Sequence, residues 1–386
     1  MEFFYIIIFL EIFIYIIYKK SSLLLSKNDL FPKITKELID KFNSFDIELG
    51  WVNKKNTIKK EVSQGKEITY TYNQLGARSI GDIDLKDSNI STYGDSYCLS
   101  REVPDNNTWQ YFLSHKLNTN VSNFGVGNYG LDQSLLRLKK EYKYNPTKTV
   151  IMAITPYTIT RISSVWKHFS EFQNILAVKP RFIINDNKLK LIKNILLTKD
   201  DLINMKDKKE FLYKYDEHIE YFNQHIYKFP FILSAILKPK PLIRTISAKL
   251  IGLCKRANFN KLSLWFLEKY FISEIKYRKD LFRKNKVLIE LLIKDYVDFA
   301  KQNNFTPILL ILPSIEDVRY YIKTKDKYYF PNINKIKNIK TLDFMDSLLN
   351  NKPGDYYVDS NWGGHYNTLG NKELAKFLEG HLNEKN

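Results

Sequence analysis

The chain opens on an almost uninterrupted apolar run. From Phe3 to Tyr18 it reads F-F-Y-I-I-I-F-L-E-I-F-I-Y-I-I-Y, broken by Glu11 and closed by Lys19 and Lys20. Sixteen helical residues span roughly 24 Å, a little short of a hydrocarbon core, and predict a single-pass membrane anchor over residues 1–20. An uncleaved anchor is favoured over a secretory signal, because the positive charge follows the apolar stretch and no small-residue cleavage site comes after it. A helix lying in the interface or buried is the other reading. By the positive-inside tendency the lysine pair would leave the main domain in the cytoplasm. Residues 21–69 are polar and mixed in charge, and read as a stalk or N-terminal embellishment.

From residue 70 onward the periodicity alternates between strand and helix. A β-branched run leads into Ile90, and Asp105 to Thr108 supply cap chemistry for a helix from Trp109 to Leu117 with Trp109, Phe112, Leu113 and Leu117 on one face. A short strand at 120–123, a helix at 133–142 and the continuous apolar run T-V-I-M-A-I at 149–154 follow. That last run has the character of a buried parallel strand. Helix 287–300, strand 307–312, a short strand near 341–343 and a closing helix at 371–378 resume the rhythm. The expectation is an α/β domain over residues 70–386, a three-layer α/β/α sandwich around a central parallel sheet. It is interrupted at about 161–285 by an insertion that opens on a hairpin turning at Asp186-Asn187 and continues helical, basic and aromatic. Within it the stretch F-P-F-I-L-S-A-I-L-K-P-K-P either lies on a membrane surface or forms part of a helical cap.

Composition changes this picture little. A formal charge of +18 over 386 residues invites a nucleic-acid partner, but the lysines are scattered among Ile and Asn throughout, so none is expected. The two cysteines, Cys98 and Cys254, cannot make a disulfide framework and read as packing thiols. No ligand spacing for a metal is visible: His218 and His225 lie seven apart without acidic or cysteine partners. No metal or organic cofactor is expected.

The chemistry concentrates in three stretches. In I-S-T-Y-G-D-S-Y-C-L-S, residues 90–100, Gly94 permits a tight turn, Asp95 suits an N-cap, and Ser96 falls at the first turn of a helix. A strand-to-helix turn exposes a serine Oγ as nucleophile while backbone N–H groups face a developing oxyanion; a plain Asx turn is the bland alternative. In N-F-G-V-G-N-Y-G-L-D-Q, residues 123–133, the glycines Gly125, Gly127 and Gly130 between strand and helix let backbone N–H groups approach a ligand atom, as a second oxyanion loop needs. Both loops fall beyond the carboxyl ends of parallel strands, where active sites of such sheets lie. In D-S-N-W-G-G-H-Y-N-T-L-G, residues 359–370, His365 on a glycine-rich loop beside Asn367 is the best general base. Asp359 or Asp355 could accept its Nδ1–H, and Asp359 is favoured.

These blocks and their order resemble the SGNH, or GDSL, hydrolase superfamily, over roughly residues 70–160 and 287–380. The resemblance implies a flavodoxin-like fold, a serine esterase acting by acyl transfer, and a triad of Ser96, His365 and Asp359. Membrane-tethered relatives acting on cell-surface polysaccharides imply an ester or acylated carbohydrate as substrate, with an O-acyltransferase or a non-catalytic glycan-binding or envelope-assembly protein as alternatives. Three departures stand out. The chain has Asn128 where the family usually has its oxyanion glycine. The family's G-x-N-D after the third strand is replaced by T-P-Y-T-I-T-R, which offers Thr155, Thr158 and Arg161 but no asparagine. Asp359 precedes the histidine by six residues rather than two or three.

Overall fold

The structure is a computed structural model that describes residues 2–22, 24–81, 88–257, 259–329, 336, 338–359 and 364–383. Residues 82–87, ahead of Ile90, and Ser360 to Gly363 of the last block lie outside the described residues. The chain divides into two compact units, one of residues 1–42, 163–179 and 194–277, the other of 43–162, 180–193 and 278–386.

The second unit holds a five-stranded sheet of β1 (Ser88–Gly94), β2 (Asn120–Asn123), β3 (Thr149–Ile154), β4 (Thr306–Ile311) and β5 (Lys340–Asp343). All four pairings are parallel and the spatial order is β5-β4-β3-β1-β2. That is the doubly wound 2-1-3-4-5 order, in which the chain reverses direction between β1 and β3 and opens a crevice at their carboxyl ends. β3 lies at the centre because its run T-V-I-M-A-I has no polar face: Val150, Ile151, Met152 and Ala153 are fully buried. Among the described helices of this unit are α1 (Trp109–Leu117), α2 (Leu131–Glu141), α3 (Lys286–Asn303), α4 (Ile315–Thr324) and α5 (Thr368–Asn383). α1 packs on α5 and α2 on α3. α1 starts where its cap predicts, with Thr108 Oγ1 accepting from the Tyr111 N–H at 3.1 Å. Hairpin 181–192 turns at Asp186 and Asn187, both left-handed with φ of 50° and 58°.

Part of the stretch read as a stalk belongs to this unit. Thr57–Ser63 and Lys66–Tyr72 pair as an antiparallel hairpin, and Ile68, Tyr70 and Tyr72 bury one face of it together with Leu99.

In the first unit, residues 2–19 are helical, but among the described residues no helix is long and apolar enough to cross a membrane. The expected spanning anchor is therefore not supported. The physical obstacle is visible in the sequence: eighteen residues reach only about 27 Å, with a carboxylate midway.

Candidate active site

The crevice end of β1 is shaped by Gly94, where a Cβ would lie 1.8 Å from the Ala153 carbonyl oxygen of β3. Only glycine lets the two strands come this close as the chain turns. The next residue, Asp95, is 1% exposed and occupied on both oxygens. Its Oδ1 accepts from the Tyr97 N–H at 2.9 Å, as an Asx turn does. Its Oδ2 accepts from the Thr155 hydroxyl at 2.7 Å, the Thr155 N–H at 3.3 Å and Arg161 at 3.2 Å. Thr155 and Arg161, which stand where the family motif would supply an asparagine, thus hold the turn that carries Ser96.

The helix expected after Ser96 does not continue. One turn forms, closed by the Leu99 N–H on the Asp95 carbonyl and the Arg101 N–H on that of Ser96. Then Ser100 and Glu102 take left-handed conformations with φ of 57° and 72°. Non-glycine residues enter this region at a cost and hold it only where surrounding contacts dictate it. The reversal carries Glu102 back toward His365.

His365 Nε2 lies 2.8 Å from Ser96 Oγ, and its Nδ1 lies 2.7 Å from Glu102 Oε2. The same oxygen accepts the His365 backbone N–H at 2.9 Å. A carboxylate only accepts, so Nδ1 carries the proton and Nε2 is left to receive the serine's. Burial pushes the Glu102 carboxyl up, but the side-chain and backbone hydrogen bonds from His365 and its charge outweigh this and lower it to about 2. Serine, histidine and carboxylate therefore stand in nucleophile, base and orienter geometry. The carboxylate beside His365 is that of Glu102, where the sequence favoured Asp359. Val358 donates to the His365 carbonyl at 2.9 Å, and Asp359 and Asp355 are exposed.

Glu102 sits in a cradle that no local pattern announces. The Arg78 guanidinium is buried, donates to the carbonyls of Leu99, Ser100 and Val103 at 2.7, 2.7 and 2.5 Å, and pairs with Asp105 at 2.8 Å. The Tyr70 ring stacks on that guanidinium at 4.4 Å, and its hydroxyl accepts the Glu102 N–H at 3.0 Å. Arg101 is drawn aside by Glu61 on the same hairpin, at 2.6 Å. The histidine side is braced too. Tyr97 donates to the Gly364 carbonyl at 3.1 Å, and the hydroxyls of Tyr357 and Tyr366 both reach the Pro313 carbonyl beyond β4, at 2.9 and 2.8 Å. Burial raises the Tyr97 hydroxyl well above its ordinary value, so it stays a donor.

The glycine loop lies against the nucleophile turn. Phe124 and Val126 donate to the carbonyls of Thr92 and Gly94 at 2.8 and 3.0 Å, and a Cβ on Gly125 would meet the Leu99 nitrogen at 2.3 Å. Asn128 is left-handed with φ of 70°. A Cβ on Gly127 would meet no described atom within 4 Å. Trp51 Nε1 and Asn53 Nδ2 donate to the carbonyls of Gly127 and Gly125 at 3.0 and 2.9 Å. Those carbonyls are thereby turned to the 43–53 segment. Two supporting residues named above have other work. Thr158 Oγ1 accepts the Leu131 N–H at 2.7 Å at the start of α2. Asn367 clamps its own loop, donating to the Asp355 carbonyl at 2.8 Å and accepting the Gly370 N–H at 3.0 Å. Cys98, two residues from Ser96, is fully buried and its thiol is pushed up by that burial.

A second serine–histidine contact, Ser163 Oγ to His218 Nε2 at 2.9 Å, belongs to the other unit. Both residues are fully buried, and His218 Nδ1 faces the Tyr277 hydroxyl at 2.7 Å rather than a carboxylate. That burial closes the pair off from solvent.

No family model matches the chain, and no curated protein does. Among solved structures it is similar to a protein from Desulfitobacterium hafniense DCB-2 ascribed to a lipolytic G-D-S-L family. The identity is 13% and the TM-score 0.32, over 76% of this chain and 99% of that one. A likeness of that size decides neither fold nor activity.

Proposed function

We propose that the protein is a serine esterase of SGNH type. The reading is carried by one observation, the continuous contact Ser96 Oγ to His365 Nε2 to His365 Nδ1 to Glu102. In the proposed reaction Ser96 Oγ attacks the ester carbonyl carbon as its proton passes to His365 Nε2, and Glu102 stabilises the imidazolium. The oxyanion is received by backbone N–H groups of Ser96 and of Gly127 or Asn128. Collapse breaks the C–O bond and His365 returns the proton to the departing alcohol. Water, deprotonated by His365, then releases the carboxylic acid and restores Ser96. Acyl groups on carbohydrate are the proposed substrate class, on the family resemblance; a sugar hydroxyl in place of water at the second step would make the enzyme an acyltransferase.

The test is covalent labelling with a fluorophosphonate and acetate release from an aryl ester, with and without added oligosaccharide. Ser96→Ala should lose labelling and turnover while its melting temperature is retained. Equal labelling of the variant sinks the assignment, and oligosaccharide acylated faster than ester is hydrolysed replaces esterase by transferase.

A further inference from the structure

The first unit carries an apolar surface with no counterpart in the site just described. Among the described side chains of helix 2–19, Ile14 and Ile17 are buried, while Phe4, Tyr5, Ile6, Phe9, Ile12 and Phe13 are each 48–68% exposed. Its lower end packs on a second element through a small cluster of Ile17, Leu24 and Tyr227, with Tyr18, Phe231, Ala235, Leu242 and Ile246 against it. That element, helix 231–237 with its lead-in, likewise turns Phe229, Leu233, Ile236 and Leu237 outward, at 50–73% exposure. Large side chains exposed in such number form a patch beyond what soluble surfaces carry without a partner.

Glu11 joins the two elements. Its carboxylate accepts the N–H of Phe231 and, at 2.8 Å, that of Ile232. These are among the donors that a helix start leaves without an intrahelical partner. The charge that interrupts the apolar run is thereby satisfied by the neighbouring helix, and the cost of bringing it near lipid falls.

Helix 2–19 begins with the exposed Glu2, whereas the charge along the second element and its continuation has one sign. From Ile226 to Cys254 there is no Asp or Glu, against Lys228, Lys238, Lys240, Arg244 and Lys249. Arg244 is matched by Glu274, and Lys238 by the carbonyls of Asn223 and Ile226. Lys228 and Lys240 are exposed, as are Lys19 and Lys20 at the end of helix 2–19. Apolar side chains beside exposed lysines fit the acyl and headgroup layers of an anionic membrane. We infer that helix 2–19 and segment 229–237 together form a docking surface for an anionic phospholipid bilayer, entering one leaflet rather than crossing both.

The test is flotation of the full chain with vesicles of phosphatidylcholine alone or mixed with phosphatidylglycerol. Two double variants are compared, Ile236→Asp with Leu237→Asp and Lys228→Glu with Lys240→Glu, each checked for folding by circular dichroism. The wild type should float with the mixed vesicles and much less with phosphatidylcholine alone. The charge reversal should weaken binding at least ~30-fold, from roughly fivefold per basic charge at the surface. The apolar replacement should weaken it at least ~100-fold. Wild-type flotation of both variants would leave helix 2–19 acting alone and overturn the two-element surface. So would failure of the wild type to float, or variants that lose self-association but keep vesicle binding, which would make a second copy the occupant.

Discussion

Replacing Glu102 by Gln separates the charge of this side chain from its shape. The amide oxygen can still accept the Nδ1–H now held at 2.7 Å and the backbone N–H at 2.9 Å, so the loop should keep its place. What is lost is the negative charge facing an imidazolium that exists only while the proton is on His365. Two unit charges about 4 Å apart interact by roughly 4 kcal/mol at an effective dielectric of 20. Glu102 and His365 side chains are 19% and 18% exposed, so solvent screens part of this. A loss of about 2–4 kcal/mol from the transition state corresponds to ~30- to 10³-fold in kcat. KM should change little, because the charge pair forms after binding. Aryl ester turnover at saturating substrate measures this directly, with Asp359→Asn as the companion variant, expected within twofold of wild type. If Asp359→Asn falls a hundredfold while Glu102→Gln stays active, the orienting carboxylate has been misassigned.

Three further outcomes follow from the same geometry. Arg78→Met removes the donor that holds three carbonyls and leaves Asp105 without its counter-charge, so denaturant unfolding should show a loss of about 3–5 kcal/mol; a change under about 1 kcal/mol would mean the cradle is replaceable. Gly94→Ala forces a Cβ onto the Ala153 oxygen and should cost at least about 3 kcal/mol or prevent folding, read as soluble yield and melting temperature. The Glu102 carboxyl, lowered to about 2 from an ordinary 4.5, contributes stability that is full above the ordinary value and lost as pH falls toward 2. The acid-induced loss of stability should therefore be smaller in Glu102→Gln than in wild type over that window, and parallel curves would contradict the assigned pairing.

Much of the site can be read from local pattern. The parallel strands are continuous apolar runs, the helices carry stripes and caps, and glycines mark where backbones must approach, so Ser96, the 125–130 loop and His365 stand out as candidates in the order of their blocks along the chain. The identity of the orienting acid is not. Glu102 and His365 are 263 residues apart, and a charged residue in an irregular loop has no period to betray its direction. Its encounter with His365 depends on the left-handed reversal at Ser100 and Glu102, which local sequence disfavours and which the buried Arg78 guanidinium and the Tyr70 hydroxyl enforce from another part of the chain. The same holds for the bracing of the glycine loop by Trp51 and Asn53, and for Glu11, which in sequence breaks an apolar run and in the fold caps a neighbouring helix. Periodic elements are written by repulsion and burial within a few residues of each other. The partners of lone polar groups are settled only when distant segments compete to satisfy them away from water.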